Sequence, residues 1–177
     1  MHVNRIREHF NKTTRISVIQ SLVMSIINYG ISIWGATNAS QIHRVQKLQN
    51  FAAKVALGGA PRSEHATPFI KELGWLKIKQ KHTFEIRVII YKLINKKVPN
   101  WAFPLPTVGE RHNLNVSTRQ SEQLFVPMCS TNLGTKSLQV AGPTLWNSFP
   151  NNVKNTTCLN TFKTRLKIHL FNKQFEL

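Results

Sequence analysis

The chain has 177 residues, 41% of them apolar, enough for one domain, or a domain with an appended subdomain, around a real core. Its 24 Lys and Arg face 7 acidic residues, a formal net charge of +17 that exceeds what solubility requires and points to a polyanionic partner. The acids are Glu8, Glu64, Glu72, Glu85, Glu110, Glu122 and Glu176, each isolated, and the absence of any aspartate excludes a two-metal phosphoryl-transfer site of neighbouring short carboxylates.

Residues 16 to 36, ISVIQSLVMSIINYGISIWGA, carry no charge over 21 positions, which is long enough for a membrane span. Ser17, Ser21, Ser25, Asn28 and Ser32 recur along that stretch at steps of four, four, three and four. A polar stripe of helical period predicts a buried helix of a soluble protein in preference to a lipid-facing one. Ser40 is the expected cap of the next helix, whose apolar side is Ile42, Val45, Leu48, Ala52 and Val55, and Gly58-Gly59 ends it. Arg44, Lys47 and Lys54 lie on its other face. Thr67 and Pro68 form an N-cap and first-turn pair for a short helix closed by Gly74, after which Trp75 and Leu76 read as core anchors.

From Ile78 to about Lys97 the spacing predicts a longer amphipathic helix with Phe84, Val88, Tyr91, Leu93 and Ile94 on its apolar side and Lys77, Lys79, Lys81 and Arg87 crowding its first half. The segment Pro99 to Pro106, PNWAFPLP, cannot propagate a helix, because each proline lacks a donor and drives its predecessor towards extended backbone. The expected organisation is therefore a helical domain over 1–98, a Pro-rich and polar linker over 99–120, and a small C-terminal subdomain over 121–177. In that subdomain QLFVP and the stretch after Asn132-Leu133-Gly134 predict a short β ribbon. Helices are expected from Leu138 to Phe149 around Trp146, and from Leu159 onward with Phe162, Leu166 and Leu170 in one stripe. Lys163, Arg165 and Lys167 decorate the last helix.

Basic residues outnumber acidic ones by 7 to 1 over residues 1–60 and by 9 to 3 over 61–100, whereas 101–150 carry 3 and 2, and 151–177 carry 5 and 1. The helical parts are thus the basic parts. Cys129 and Cys158 lie far apart without C-x-x-C spacing, so they read as reduced thiols of an intracellular protein, nuclear or cytoplasmic. The seven His show no spacing that sets ligands on one helical face, and no metal or other cofactor is expected. Ser, His and Cys nucleophile arrangements need an orienting acid, and the sequence offers no candidate grouping. Tyr29, Trp34, Trp75 and Trp146 are expected in the core, and Trp101 in the open.

Several segments in order carry a resemblance. They are Ile27-Asn28-Tyr29-Gly30-Ile31 with Trp34-Gly35, then Val45-Gln46-Lys47, Leu73-Gly74-Trp75-Leu76 and Ser117-Thr118-Arg119. The run from Ala141 through Trp146 to Pro150 and the Phe162-Lys163-x-x-Leu166-Lys167 helix complete the series. In this order, over nearly the whole chain, they resemble the region after the palm in reverse transcriptases of non-LTR retrotransposons of the jockey-like kind. The resemblance implies a larger RNA-directed DNA polymerase whose endonuclease and Mg²⁺-binding palm lie outside this sequence. What it implies here is a helical thumb that grips a primer–template duplex, followed by a small C-terminal piece of unassigned role.

The sequence thus predicts a mainly α protein that binds the backbone of RNA or an RNA–DNA duplex without polymerising it. It would use Arg44, Lys47, Lys54, Lys77, Lys79, Lys81, Arg87, Lys163, Arg165 and Lys167. The missing palm of the same enzyme is the other expected partner. Two further readings fit the same residues: a helical protein-interaction module left by a decayed element, and a membrane-associated protein held by residues 16–36.

Overall fold

In a computed structural model the described residues are 9–61, 63–99, 104–113, 118 and 120–175. Trp101, Ser117 and Arg119 lie outside them. Among the described residues the secondary structure is helical, with one isolated antiparallel bridge, Thr107 to Leu124. None of the helices among the described residues is long and apolar enough to cross a membrane. Two compact units divide the chain, one of residues 1–82 and 170–177 and the other of residues 83–169.

The first unit opens with α1 (Lys12–Ile19), capped by the Asn11 side chain, which accepts from the Thr14 N–H. It continues through a π-helical stretch, Gln20–Met24, into α2 (Ser25–Asn28). The single helix expected over 16–36 is therefore broken. Gly30, at φ +60°, takes the left-handed conformation that suits glycine, and the short α3 (Ile31–Trp34) follows. Helix α4 (Ala39–Ala56) is capped by Asn38 and not by Ser40; the Asn38 Oδ1 accepts from the Gln41 N–H at 3.0 Å and from the Ser40 hydroxyl at 2.9 Å. Helix α5 (Thr67–Glu72) has Ala66 in the cap position, so Thr67 and Pro68 both lie inside its first turn. Gly74, at φ +64°, ends it. The core is aliphatic: Ile19, Met24, Ile27, Ile31, Ala52, Ala53, Val55, Ala56, Ile70 and Ile78 are buried together with Trp75.

Helix α6 (Ile78–Ile94) contains the boundary between the units, and α11 (Leu159–Phe175) contains the other. The second unit is therefore not set off by the Pro-rich segment. Residues 104–113 pack within it: the Phe125 N–H donates to Pro106 O at 2.9 Å and the Val108 N–H to Gln123 O at 2.8 Å. Thr107 and Glu110 form a capping box that starts α7 (Val108–Arg111). Residues 104–113 of the expected linker are thus a packed part of the unit, and the only pairing near the expected ribbon among the described residues is the Thr107–Leu124 bridge. Helix α8 (Asn132–Thr135), opened by the Thr131 hydroxyl accepting from the Gly134 N–H, takes the place of the expected turn, and the stretch after Gly134 runs through its end into the next helix without forming a strand.

Beyond α8 come α9 (Leu138–Asn147) and α10 (Asn151–Lys154). A Cβ at Gly142 would stand 2.6 Å from Ile90 Cδ1, so α9 lies against α6 only because that residue has no side chain. The core here is aromatic. Phe162, fully buried, stacks on Tyr91 with ring centres 4.2 Å apart, while Trp146 and Phe149 approach it at 6.0 and 6.5 Å. The Asn147 side chain closes both backbone groups of Leu124, accepting its N–H at 3.0 Å and donating to its carbonyl at 2.8 Å.

Candidate nucleic-acid interface

The first unit builds its basic surface around the connector between α5 and α6. Residues 75–77 lie in neither helix nor strand and Ile78 opens α6, so several of their backbone groups need side-chain partners, and three glutamines supply them. The Gln49 amide, wholly buried, donates to Leu76 O at 2.8 Å. The Gln46 Oε1 accepts the Ile78 N–H at 2.9 Å. The Gln174 side chain takes the Lys77 N–H and gives to Trp75 O, both at 2.9 Å. Gln46 is itself fixed by donating to Gln49 and Asn50 at 2.9 and 2.8 Å. These bonds tie the middle of α4 to the start of α6.

The consequence is that Arg44 and Lys47, exposed one turn apart on α4, flank Gln46, while Lys77 and Lys79 flank the Ile78 amide that Gln46 holds. Lys79 is exposed, and Lys77 and Lys81 are half-buried. The Lys77 ammonium stands 5.7 Å from the centre of the Phe175 ring, and Lys71, exposed on α5, stands 6.0 Å from the same ring. Lys71 was not among the residues expected from the sequence to touch phosphate. It is a lone cation on a short helix, and only the return of Phe175 to this unit reveals that it belongs with Lys77.

Two of the expected phosphate-binding residues are turned inward. Lys54 is 5% exposed, since five consecutive residues from Ala52 to Ala56 are buried. Its ammonium donates to the carbonyls of Pro61, at 2.8 Å, and Glu64, beyond the last turn of α4, where a cation is favoured by the helix dipole. Arg87 is likewise 5% exposed. From Ile86 on, helix α6 is enclosed on most sides, with Ile86, Val88, Ile90, Tyr91 and Leu93 buried, so a charge at position 87 has little solvent face to take. Its Nε donates to Leu145 O at 3.2 Å and its guanidinium carbon lies 4.3 Å from the Phe149 ring centre. Burial lowers its pKa from the usual guanidinium range to about 10. Both residues are withdrawn from the set that meets phosphate.

In the second unit Arg165 and Lys167 are exposed on α11 and Lys163 is half-buried beside them. Lys154, which no periodic pattern singles out, stands 5.9 Å from the Trp146 ring centre and donates to Asn147 O at 3.4 Å. Its pKa is lowered first by burial and then by the charge of Arg87. The Cys158 thiol, exposed before α11, is shifted down by hydrogen bonds from the Thr161 and Asn160 amides. Lys97 adds a smaller effect in the same direction. Tyr29, expected in the core, is 85% exposed, because the chain turns at Gly30 before its ring can pack. Among the described residues no three His, Cys or Glu side chains gather to hold a metal ion.

The geometry defines a helical protein whose first unit presents cations around a glutamine-bound connector, with no clustered carboxylates or metal ligands among the described residues. Neither a known family model, nor a curated protein, nor a solved structure matches the chain.

Proposed function

We propose that the chain is the duplex-gripping part of an RNA-directed DNA polymerase of non-LTR retrotransposon type, binding the phosphate backbone of RNA or of an RNA–DNA duplex and leaving polymerisation to a palm outside this sequence. The observation that carries the reading is charge. If all 7 carboxylates were matched one to one with the 24 Lys and Arg, 17 cations would remain. Helix faces studded with such cations suit a backbone grip that does not read bases. Arg44, Lys47, Lys71, Lys77 and Lys79 are the residues of the first unit assigned to it, with Arg165 and Lys167 in the second.

The segments that carry the family resemblance lend further support, because they hold the surface together. Gln46 belongs to Val45-Gln46-Lys47 and makes the bond to Ile78. Leu73-Gly74-Trp75-Leu76 leads into the connector that the glutamines clamp. Trp146 and Phe149, from the run that ends at Pro150, pack on Phe162.

The test is a salt titration of binding to an RNA–DNA hybrid, with double-stranded DNA and single-stranded RNA beside it. Each neutralised phosphate gives a slope of about −0.9 in log affinity against log salt, so about five neutralised phosphates weaken binding on the order of several hundred-fold between 50 and 200 mM salt. Affinity that stays level across that range, or no binding at all, removes the proposal.

A further inference from the structure

The first unit carries an apolar surface that backbone binding does not use. Leu22 and Ile26 are 56% and 74% exposed, and Tyr29 and Ile33 just beyond them are 85% and 83% exposed. In a regular α-helix every fourth residue drifts sideways, since a turn takes 3.6 residues. The wider π-helical turns of Gln20–Met24 cancel that drift, so residues four apart line up into straight rows. Burial follows the rows. Ile19 and Ile27 are buried and Val23 between them is half-buried, Leu22 and Ile26 are exposed, and Ser17, Ser21 and Ser25 are exposed.

The serine row is polar in name only. The Ser21 hydroxyl donates back to Ser17 O at 2.9 Å, and the Ser25 hydroxyl donates to Ser21 O. Both donors stay satisfied when water is removed, so the row offers a shallow groove of small side chains that another helix can approach closely. A groove of small residues beside a ridge of large ones is self-complementary. Turned by a two-fold axis, the ridge of one copy fills the groove of the other, the arrangement an isologous interface requires.

We infer that this face pairs with the same face of a second copy of the chain. Leu22 and Ile26 with the exposed Tyr29 and Ile33 offer few large side chains, so a pair formed through them sits near the lower bound of a specific interface, about 1,000 Å². The pair is consequently weak and concentration-dependent. Residues 16 to 36 carry no charge in a chain of +17, so this face is also where two such chains repel least.

Sedimentation equilibrium of the full chain tests the inference, and its salt dependence separates it from the proposed function. Added salt screens the repulsion between copies, so dimerisation tightens as salt rises, while nucleic-acid binding weakens. Ile26→Lys raises the dimer dissociation constant at least tenfold. Ser21→Leu also weakens the pair by filling the groove, although it adds apolar surface; general stickiness would instead be strengthened by it. A single monomeric species at every concentration reached overturns the inference. So do open-ended oligomers, a dimer indifferent to both substitutions, or monomers that bind neutral lipid vesicles through Leu22 and Ile26.

Discussion

The two units are both helical and both basic, yet they treat their buried polarity differently. The first satisfies the backbone of its connector with neutral amides, those of Gln46, Gln49 and Gln174, and places Arg44 and Lys47 in solvent. The second encloses cations between aromatic rings and backbone carbonyls, with Arg87 over Phe149 and bonded to Leu145 O, and Lys154 over Trp146 and bonded to Asn147 O. A cation held against a ring and bonded to a carbonyl is partly desolvated and serves packing. One on an open helix face costs little to keep there and remains available to a phosphate. Net charge alone does not separate these uses; the surroundings of each residue do.

The sharpest break in this comparison is Phe162→Ala. Phe162 is wholly buried and meets Tyr91, Trp146 and Phe149, so the truncation removes the centre of the second unit's core at a cost of about 3–5 kcal/mol. Chemical denaturation reads that loss as a lowered midpoint. A cost below about 1 kcal/mol would mean that the rings are not what holds that unit.

Next in size is the exchange of Arg44 and Lys47 for glutamine. Both are exposed, so the denaturation midpoint stays where it was. Removing one phosphate-binding cation lowers the salt slope by about 1, so the double variant binds an RNA–DNA hybrid more weakly and with a slope about 2 smaller. Lys54→Gln and Arg87→Met do the opposite, lowering stability and leaving the slope alone, since neither cation reaches solvent. If the inward pair changed the slope as much as the outward pair, the division drawn between them would fail.

Much of this was legible in the sequence. Regular apolar spacing located the helices that became α4, α6, α9 and α11, and the glycine pair at 58–59 and Gly74 ended helices where positive φ requires them. The β ribbon was not, because a short apolar run such as QLFVP is the same whether the strand finds a partner or, as here, a single bridging residue. The fate of Lys54 and Arg87 was hidden for a different reason. Periodicity assigns a charge to a solvent face only when the helix has one, and from Ile86 to Leu93 helix α6 is buried on most sides. The glutamine clamp left no trace in the sequence either, since Gln46, Gln49 and Gln174 look like ordinary surface residues until residues 75–78 come to rest beside them.

The smallest expected effect concerns a neutral group of the first unit. His82 is half-buried against Gly35, where a Cβ would stand 2.5 Å from its ring, and its Nε2 is buried without a hydrogen-bond partner among the described residues. Burial lowers its pKa below 6.5, partly opposed by a hydrogen bond with the Ser32 backbone. The folded chain therefore binds a proton at this site less readily than the unfolded chain. Its contribution to stability is complete above pH 6.5 and is lost as the pH falls through the interval below that value. Thermal unfolding from pH 7.5 to 5 checks the sign: the midpoint falls on acidification, and His82→Gln flattens that fall. A midpoint that rises on acidification would show the imidazole to be better accommodated as a cation, and the neutral packing of His82 against Gly35 would have to be abandoned.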